Sequence, residues 1–424
     1  MKILFILFLK VLVAYSFVIP LKHGPNIDKK NFFQPHASSS SLVDTIKRDG
    51  IDVQSTLWDF TEYFSSMVDP SIQRFYSISK PPTGELIHQH CPVRELGVTW
   101  DALTLLKYWK ENQEWIMEHG KQHEFASHYQ KIASVVKSTI HSYISSCIKF
   151  EDYLLVDSNY LRERSNIAHS GLLVLSCIYA IEASIIDATE ISPVVNGLVK
   201  GILRMQNPNG SFRIEYGYED VYKMIEFYPG EAMVGLMEFY EKGNELHISN
   251  DYEIRQAIAL AMKNALGFYS ELYKNGDVDV NYNIWQVQAF SRLFRIFHVQ
   301  NDVDESLCTD YCITLCQGIV NSGAWRMLGR GQSFYPNLQT VEIVVGLDAL
   351  MEGISIARAH SLDNEIQRLE INARNAISFV IFSIDQIDVS ALVGRGGLGF
   401  GGLTIMEQRL DVTGHAVHAF VKID

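Results

Sequence analysis

With 424 residues, 47% of them hydrophobic and 20% charged, the chain has enough apolar content to bury one large core or two smaller ones. Its formal charge of −13 excludes a general nucleic-acid or anionic-membrane binder, because both partners need a basic footprint. Beyond the N-terminus no stretch stays apolar for the roughly 18 residues that crossing a bilayer requires.

In chain order, Lys2 precedes an apolar run from Ile3 to Pro20, broken only by Lys10, and Ala14 and Ser16 stand where a signal peptidase reads small residues. Residues 1–16 therefore read as a secretory signal cleaved before Phe17, which predicts a secreted chain or one resident in the secretory-pathway lumen. Residues 17–50, with Pro20, Pro25, Pro35 and the run Ser38 to Ser41, read as an irregular leader. Residues 51–424 read as one domain.

That domain repeats one unit six times: a loop marked by Gly, Pro or Asn, then an amphipathic helix. The segments open at Gly97, Asn166, Tyr228, Asn281, Asn337 and Arg409. A second set of helical stretches alternates with them, at roughly 52–65, 124–149, 190–205, 252–273, 303–320 and 363–384. A helical-hairpin repeat on this scale predicts an all-α closed array, an (α/α)6 toroid with small loop and β elements on one face. The six named segments form the inner ring, since they carry the small residues (Gly171, Gly230, Gly235, Gly346, Gly353, Gly414) that crowded helices need for close approach.

The secretory compartment permits disulfides, but six cysteines are too few to be the main staple of a chain this long. One or two bridges are expected, with no pairing assignable. Cys308, Cys312 and Cys316 recur every four residues on one helix face, which suits buried packing; a metal site is the alternative. Asn209-Gly210-Ser211 is a glycosylation acceptor in a loop.

Three long loops before inner helices set Gly beside an aromatic: Gln206 to Phe212, Gly323-Ala324-Trp325 and Gly396 to Phe400. Such loops on a rigid scaffold carry function. The Gln206–Phe212 loop, the Tyr228-Pro229-Gly230-Glu231 helix start and the Arg409-Leu410-Asp411-Val412-Thr413-Gly414-His415 start together resemble the six-hairpin glycosidases and related sugar epimerases and lyases. This resemblance is one of organisation over most of residues 52–424. It implies a carbohydrate substrate and a site at the starts of the inner helices.

The polar residues at those starts supply the candidates. Glu231 and Glu342 open inner helices two repeats apart and form the carboxylate pair that glycoside hydrolysis needs, with Asp101 and Asp411 in reserve. The alternative is that each glutamate merely complements its helix dipole. Tyr228, His169 and His415 instead suit proton exchange beside a carboxylate, the chemistry of an epimerase or lyase. Arg409, Arg326 and Arg213 would bind an anionic sugar such as a uronate, or are solvated surface cations. Trp285 and Trp325 offer stacking faces, and Gln286 and Gln339 offer amides. Tyr216, Tyr218, Tyr222, Phe334, Tyr335 and Phe400 lie in or near the same loops. His418, three residues after His415, has no evident third partner for a metal, so neither a metal nor a cofactor is expected. The functional reading is a glycoside hydrolase, with a sugar epimerase or lyase, or a non-catalytic glycan- or protein-binding toroid, as the alternatives. The oligomeric state is left open.

Overall fold

The structure, a computed structural model, describes residues 42–157, 165–216, 227–249, 251–274, 284–300, 302, 304–331, 335, 338–385, 396–399 and 407–423. Residues 1–16, expected to be a signal, and residues 17–41 of the expected leader lie outside these residues. The first described helix, α1 (Leu42–Arg48), falls at the end of the stretch expected to be irregular. It buries Leu42 and Ile46, and the turn after it is held by the Arg374 fork on Asp49.

Six helices form the outer set: α2 (Val53–Ser66), α5 (Gln122–Ser145), α7 (Ala188–Arg204), α9 (Tyr252–Lys274), α11 (Glu305–Val320) and α14 (Asp363–Asp385). Six more form the inner set: α3 (Pro92–Glu111), α6 (Asn166–Glu182), α8 (Tyr228–Lys242), α10 (Ile284–Gln300), α13 (Thr340–Ala359) and α15 (Leu410–Ile423). Two one-turn helices, α4 (Gln113–Glu118) and α12 (Gly323–Leu328), lie in connections. Each inner helix packs on the next, in the order α3, α6, α8, α10, α13, α15, and α15 packs back on α3, so the ring closes. The fold is an (α/α)6 toroid.

Side-chain pairing fixes the direction of the inner helices. Arg292 meets Glu238 and Arg295 meets Glu241, a constant offset along α10 and α8. Gln288 meets Asp348 and Ser291 meets Glu352 between α10 and α13, and again both partners advance together. Neighbouring inner helices are therefore parallel, and their N-termini share one end of the ring.

The ring axis is crowded. A β-carbon on Gly171 would stand 2.5 Å from the Ala232 Cα, and one on Gly235 would stand 2.7 Å from the Gly171 carbonyl. α6 and α8 approach so closely only because glycine fills both positions. Inner helices are accordingly buried on nearly all sides, as along Asn166–Ile178 of α6, whereas outer helices such as α7 bury one stripe.

The short strands lie in the outer-to-inner connections or directly before α15, on the face where the inner helices begin. β1 (Val68–Asp69) pairs with β2 (Arg74–Phe75); β3 (Ile78–Lys80) pairs with β4 (Glu85–Ile87) and with β7 (Gln408–Arg409); β5 (Cys147–Lys149) pairs with β6 (Leu154–Val156), all antiparallel. The β3–β7 pairing ties the start of the domain to its last helix. Cys308, Cys312 and Cys316 are buried thiols facing α10 and α13, with Cys308 Sγ donating to the Phe290 carbonyl and Cys316 Sγ to the Ala349 carbonyl. Cys147 and Cys177 are thiols too, so the expected bridge does not form at these five. Among the described residues no helix is long and apolar enough to cross a membrane.

Candidate active site at the N-terminal ends of the inner helices

At the N-terminal end of the ring, where a funnel is expected, the candidate side chains fall into an outer group, the rim, and a buried group, the floor. At the rim, α3 begins earlier than its apolar pattern implied. Pro92 occupies the first helical position, where its missing N–H costs nothing, and this brings Arg94 and Glu95 into the first turn. Beside them a cavity of about 170 Å³ is lined by Arg74, Tyr76, His88, His90, Arg94, Glu95, Arg409 and Asp411 among others. Arg409 clasps Asp411 with a two-pronged guanidinium contact, and Arg94 Nε lies 3.6 Å from the same carboxylate. His88 Nε2 lies 3.0 Å from Asp69 and its ring stacks on Tyr76 with 4.2 Å between centroids. Hydrogen bonds from Ser71, then from His88, hold the Asp69 carboxyl well below the usual range. His90 Nδ1 lies 2.7 Å from Glu95, which also accepts from Tyr143 Oη at 2.8 Å.

Below the rim lies an aromatic and imidazole floor. The Trp100 ring centroid is 3.9 Å from that of His418 and 5.9 Å from that of Trp285, and Trp285 is 5.9 Å from His415. Asp101 Oδ1 and His418 Nε2 are 2.8 Å apart and both are buried. Burial pushes the Asp101 carboxyl well up, helped by the nearby Asp411 and Asp348 charges. Burial also pushes His418 well down, helped by Lys422 and His415. Both shifts favour a neutral pair in which the carboxylic acid donates to the imidazole. His415 is half-buried and burial lowers its pKa too, against the pull of Asp411. His169 is fully buried in the first turn of α6, and neither ring nitrogen has a hydrogen-bond partner among the described residues. With no ionic partner to offset it, burial lowers this imidazole to about 3.

The two glutamates occupy the first turns of α8 and α13. Glu231 is only 2% exposed and Tyr228 8%, whereas Glu342 is half-buried. Trp285 packs over Gly230, where a β-carbon would stand 2.6 Å from its own Cβ. This contact joins α8 to α10 in their first turns.

Other candidates are engaged elsewhere. Gln286 follows Trp285 by one residue, a rotation of about 100° on a helix, and it accepts from Tyr311 of outer helix α11 at 2.6 Å. Trp325 is buried against Gly346, with its indole N–H directed at the Glu342 carbonyl at 3.4 Å. Arg326 and Gln339 are exposed, on α12 and at the N-cap of α13. Arg213 donates to the Arg204 carbonyl at the end of α7, a cation satisfying a C-terminal carbonyl. Asn209 is exposed, and its side-chain oxygen accepts from Ser211 N and Oγ. Gln206 donates to the Ala261 carbonyl at 2.7 Å, so its loop is a brace between α7 and α9. Tyr218, Tyr222, Phe334 and Phe400 lie outside the described residues.

Sequence reasoning missed the rim side chains Arg74, His88, His90, Arg94 and Glu95; Pro92 was the available signal. It also missed a circuit of buried charge below the floor. Lys107 of α3 meets Glu182 of α6 at 3.1 Å, and Glu182 meets Lys242 of α8 at 2.7 Å. Glu238 of α8 meets Arg292 of α10 at 3.3 Å, Arg295 meets Glu352 of α13 at 3.5 Å, and Lys422 of α15 meets Asp348 and Glu352. The charged pairs stop at α15; the floor pair Asp101 and His418, a neutral hydrogen bond, joins α15 to α3, so every adjacent pair of inner helices is bridged.

No family model matches the chain, and no curated protein matches it. Among solved structures, the cellulase Cel9M of C. cellulolyticum is similar at 10% identity and a TM-score of 0.46, over 88% of this chain and 98% of that one. The closed ring of parallel inner helices is what assigns the toroid here.

Proposed function

We propose that the funnel is the active site of a glycoside hydrolase acting on an oligosaccharide or polysaccharide that carries an anionic sugar such as a uronate. The observation that carries this reading is the placement, in first turns at the same end of a closed ring, of carboxylates from non-adjacent helices, on the face that also bears an arginine-lined cavity. Glu231, all but sealed from solvent, suits the acid that protonates the glycosidic oxygen. Glu342, half-exposed, suits the base that takes a proton from the attacking water. With inner helices packed at roughly 9 Å, α8 and α13 on either side of α10 stand about 16 Å apart between axes. That spacing leaves room for the sugar and a water between the carboxyls, the wider geometry of an inverting enzyme. Arg94 and Arg409 give the rim guanidinium forks of the kind that recognise a carboxylate, and a substrate carboxylate would take the place that Asp411 now occupies on them.

A second reading is an epimerase or lyase, favoured by the neutral imidazoles. Burial keeps His169 and His415 unprotonated, the state in which a base removes a proton beside a uronate carboxylate, and Tyr228 is near enough in sequence to the same helix starts to return one. One experiment separates the readings: neutral and uronate-containing oligosaccharides incubated with purified protein in deuterated water and read by mass spectrometry. Cleavage that falls by about 10²- to 10⁴-fold in Glu231→Gln supports the hydrolase. Deuterium uptake without cleavage, abolished in His415→Asn, rejects it for the second reading. Glycan binding with neither reaction rejects both and leaves a binding toroid.

A further inference from the structure

At the opposite end of the ring three side chains converge on one point. His298 stands in the last turn of α10, Glu305 begins α11, and His360 directly follows α13. Glu305 Oε1 lies 2.7 Å from His298 Nδ1 and 3.2 Å from His360 Nε2, and the three potential ligand atoms all fall within 4.8 Å of one another. Packing sets the ring positions: Phe294 lies against both imidazoles, at 5.4 Å and 5.3 Å between centroids. Thr309 Oγ1, 3.0 Å from His360 Nε2, is itself held by donation to the Glu305 carbonyl. The side chains of His298, His360 and Glu305 are 38%, 30% and 18% exposed, so solvent reaches the cluster.

We propose that His298, Glu305 and His360 form a binding site for a divalent transition-metal ion of the zinc type. Two imidazole nitrogens and one carboxylate oxygen are the donor set such an ion prefers, whereas calcium and magnesium favour oxygen alone. Donors bound to zinc at about 2.0–2.2 Å in a tetrahedron stand roughly 3.3–3.5 Å apart. The Glu305–His360 contact, at 3.2 Å, is already near that spacing, whereas the Glu305–His298 contact, at 2.7 Å, must open by roughly half an ångström or more, a shift that side-chain rotation supplies without moving the helices. Water fills the remaining position. The site lies far from the funnel, since His298 is 13 residues along α10 from Trp285, about 20 Å at helical rise. Its ion would therefore act as a staple joining inner helices α10 and α13 to outer helix α11, independent of the glycan reading.

The test uses the full chain, stripped with chelator and titrated with Zn²⁺ by calorimetry near neutral pH, alongside Glu305→Gln and the double variant His298→Asn/His360→Gln. Expected are saturable binding of one ion per chain, affinity at least tenfold weaker in Glu305→Gln, and no such binding in the double variant. A zinc-dependent rise of a few degrees in the thermal midpoint should accompany it in the wild type. Co²⁺ substitution should give visible ligand-field bands without a thiolate charge-transfer band, which separates this site from Cys308, Cys312 and Cys316 on the same helix. Absence of saturable binding to the wild type, unchanged binding in the double variant, or a thiolate band would each overturn the proposal. The wild-type titration decides even where a variant does not fold.

Discussion

The upper and lower halves of the same six inner helices treat buried ionisable groups in opposite ways. In the lower half acids are paired with cations: Glu352 is held well below the usual carboxylate range, because Lys422, Arg295 and Arg292 outweigh its burial, although burial still raises Glu238 against the pull of Arg292. In the upper half burial wins, raising Asp101 toward its protonated form and lowering His169, His415 and His418 toward their neutral forms. Burial penalises charge in both halves, and what differs for Glu352 is the set of three cations within reach. The lower half is locked by its own partners. The upper half favours the uncharged forms of Asp101 and of three imidazoles, beneath an ion-paired rim at Arg94, Arg409 and Asp411.

Breaking the lower circuit gives the largest expected effect. Arg292 is 8% exposed at the side chain, and its loss leaves Glu238 and Glu352 short of a cation in the ring interior. Arg292→Ala should cost about 3–5 kcal/mol in urea unfolding, whereas the pair Arg292→Met and Glu238→Leu should recover most of that cost. Equal losses in the single and double variants would mean that packing, not an uncompensated charge, sets the penalty.

Close approach in the upper half is tested by Gly171→Ala. The added methyl would press on the backbone of α8 at Ala232, and neither helix can yield without disturbing the ring. A loss of about 2–3 kcal/mol is expected, the upper range for overpacking. Gly267, where a β-carbon meets nothing within 4 Å on outer helix α9, is the control; Gly267→Ala should stabilise by about 0.5–1 kcal/mol.

The uncharged state of the upper half has a pH signature. His169 titrates near 6.5 when unfolded and near 3 when folded, so between those values the unfolded chain binds the extra proton. Stability attributable to this residue is complete above pH 6.5 and is lost as pH falls toward 3, by about 2 kcal/mol at pH 5. Denaturation curves of wild type and His169→Leu at pH 7.5 and pH 5 should converge by that amount on acidification. A gap that stays constant would show that the imidazole finds a partner in solution and belongs with the paired half.

These halves differ also in how far the sequence discloses them. The helices were legible because apolar periodicity and small residues act locally: the stretch 252–273 is α9 at Tyr252–Lys274, and 363–384 is α14 at Asp363–Asp385. Ring closure was legible for the same reason, since glycine at 171, 235 and 414 has a packing purpose only between crowded helices. Pairing across the ring was not. Asp101 and His418 are 317 residues apart in sequence and meet only because the sixth hairpin returns to the first. Side-chain direction was hidden too: Trp285 and Gln286 were grouped as funnel residues, yet adjacent helical positions diverge, and only the first lies over the ring interior. The metal-type cluster escaped because its ligands sit at the ends of three helices, with no local spacing to reveal them.

The smallest expected effect marks where the comparison stops applying. Arg374 makes a two-pronged contact with Asp49, at 2.6 Å and 2.8 Å, better geometry than most pairs in the buried circuit. Yet its side chain is 48% exposed, and water screens the pair while both side chains lose freedom to form it. Arg374→Ala should therefore cost under about 1 kcal/mol, and less as salt is added. Because this fork connects α14 to the turn after α1, its loss should loosen Leu42–Gly50 before it weakens the ring, seen as faster amide hydrogen exchange in that segment alone. A cost that matched Arg292→Ala would mean that α1 is integral to the toroid, and that burial is not what separates its structural charges from its surface ones.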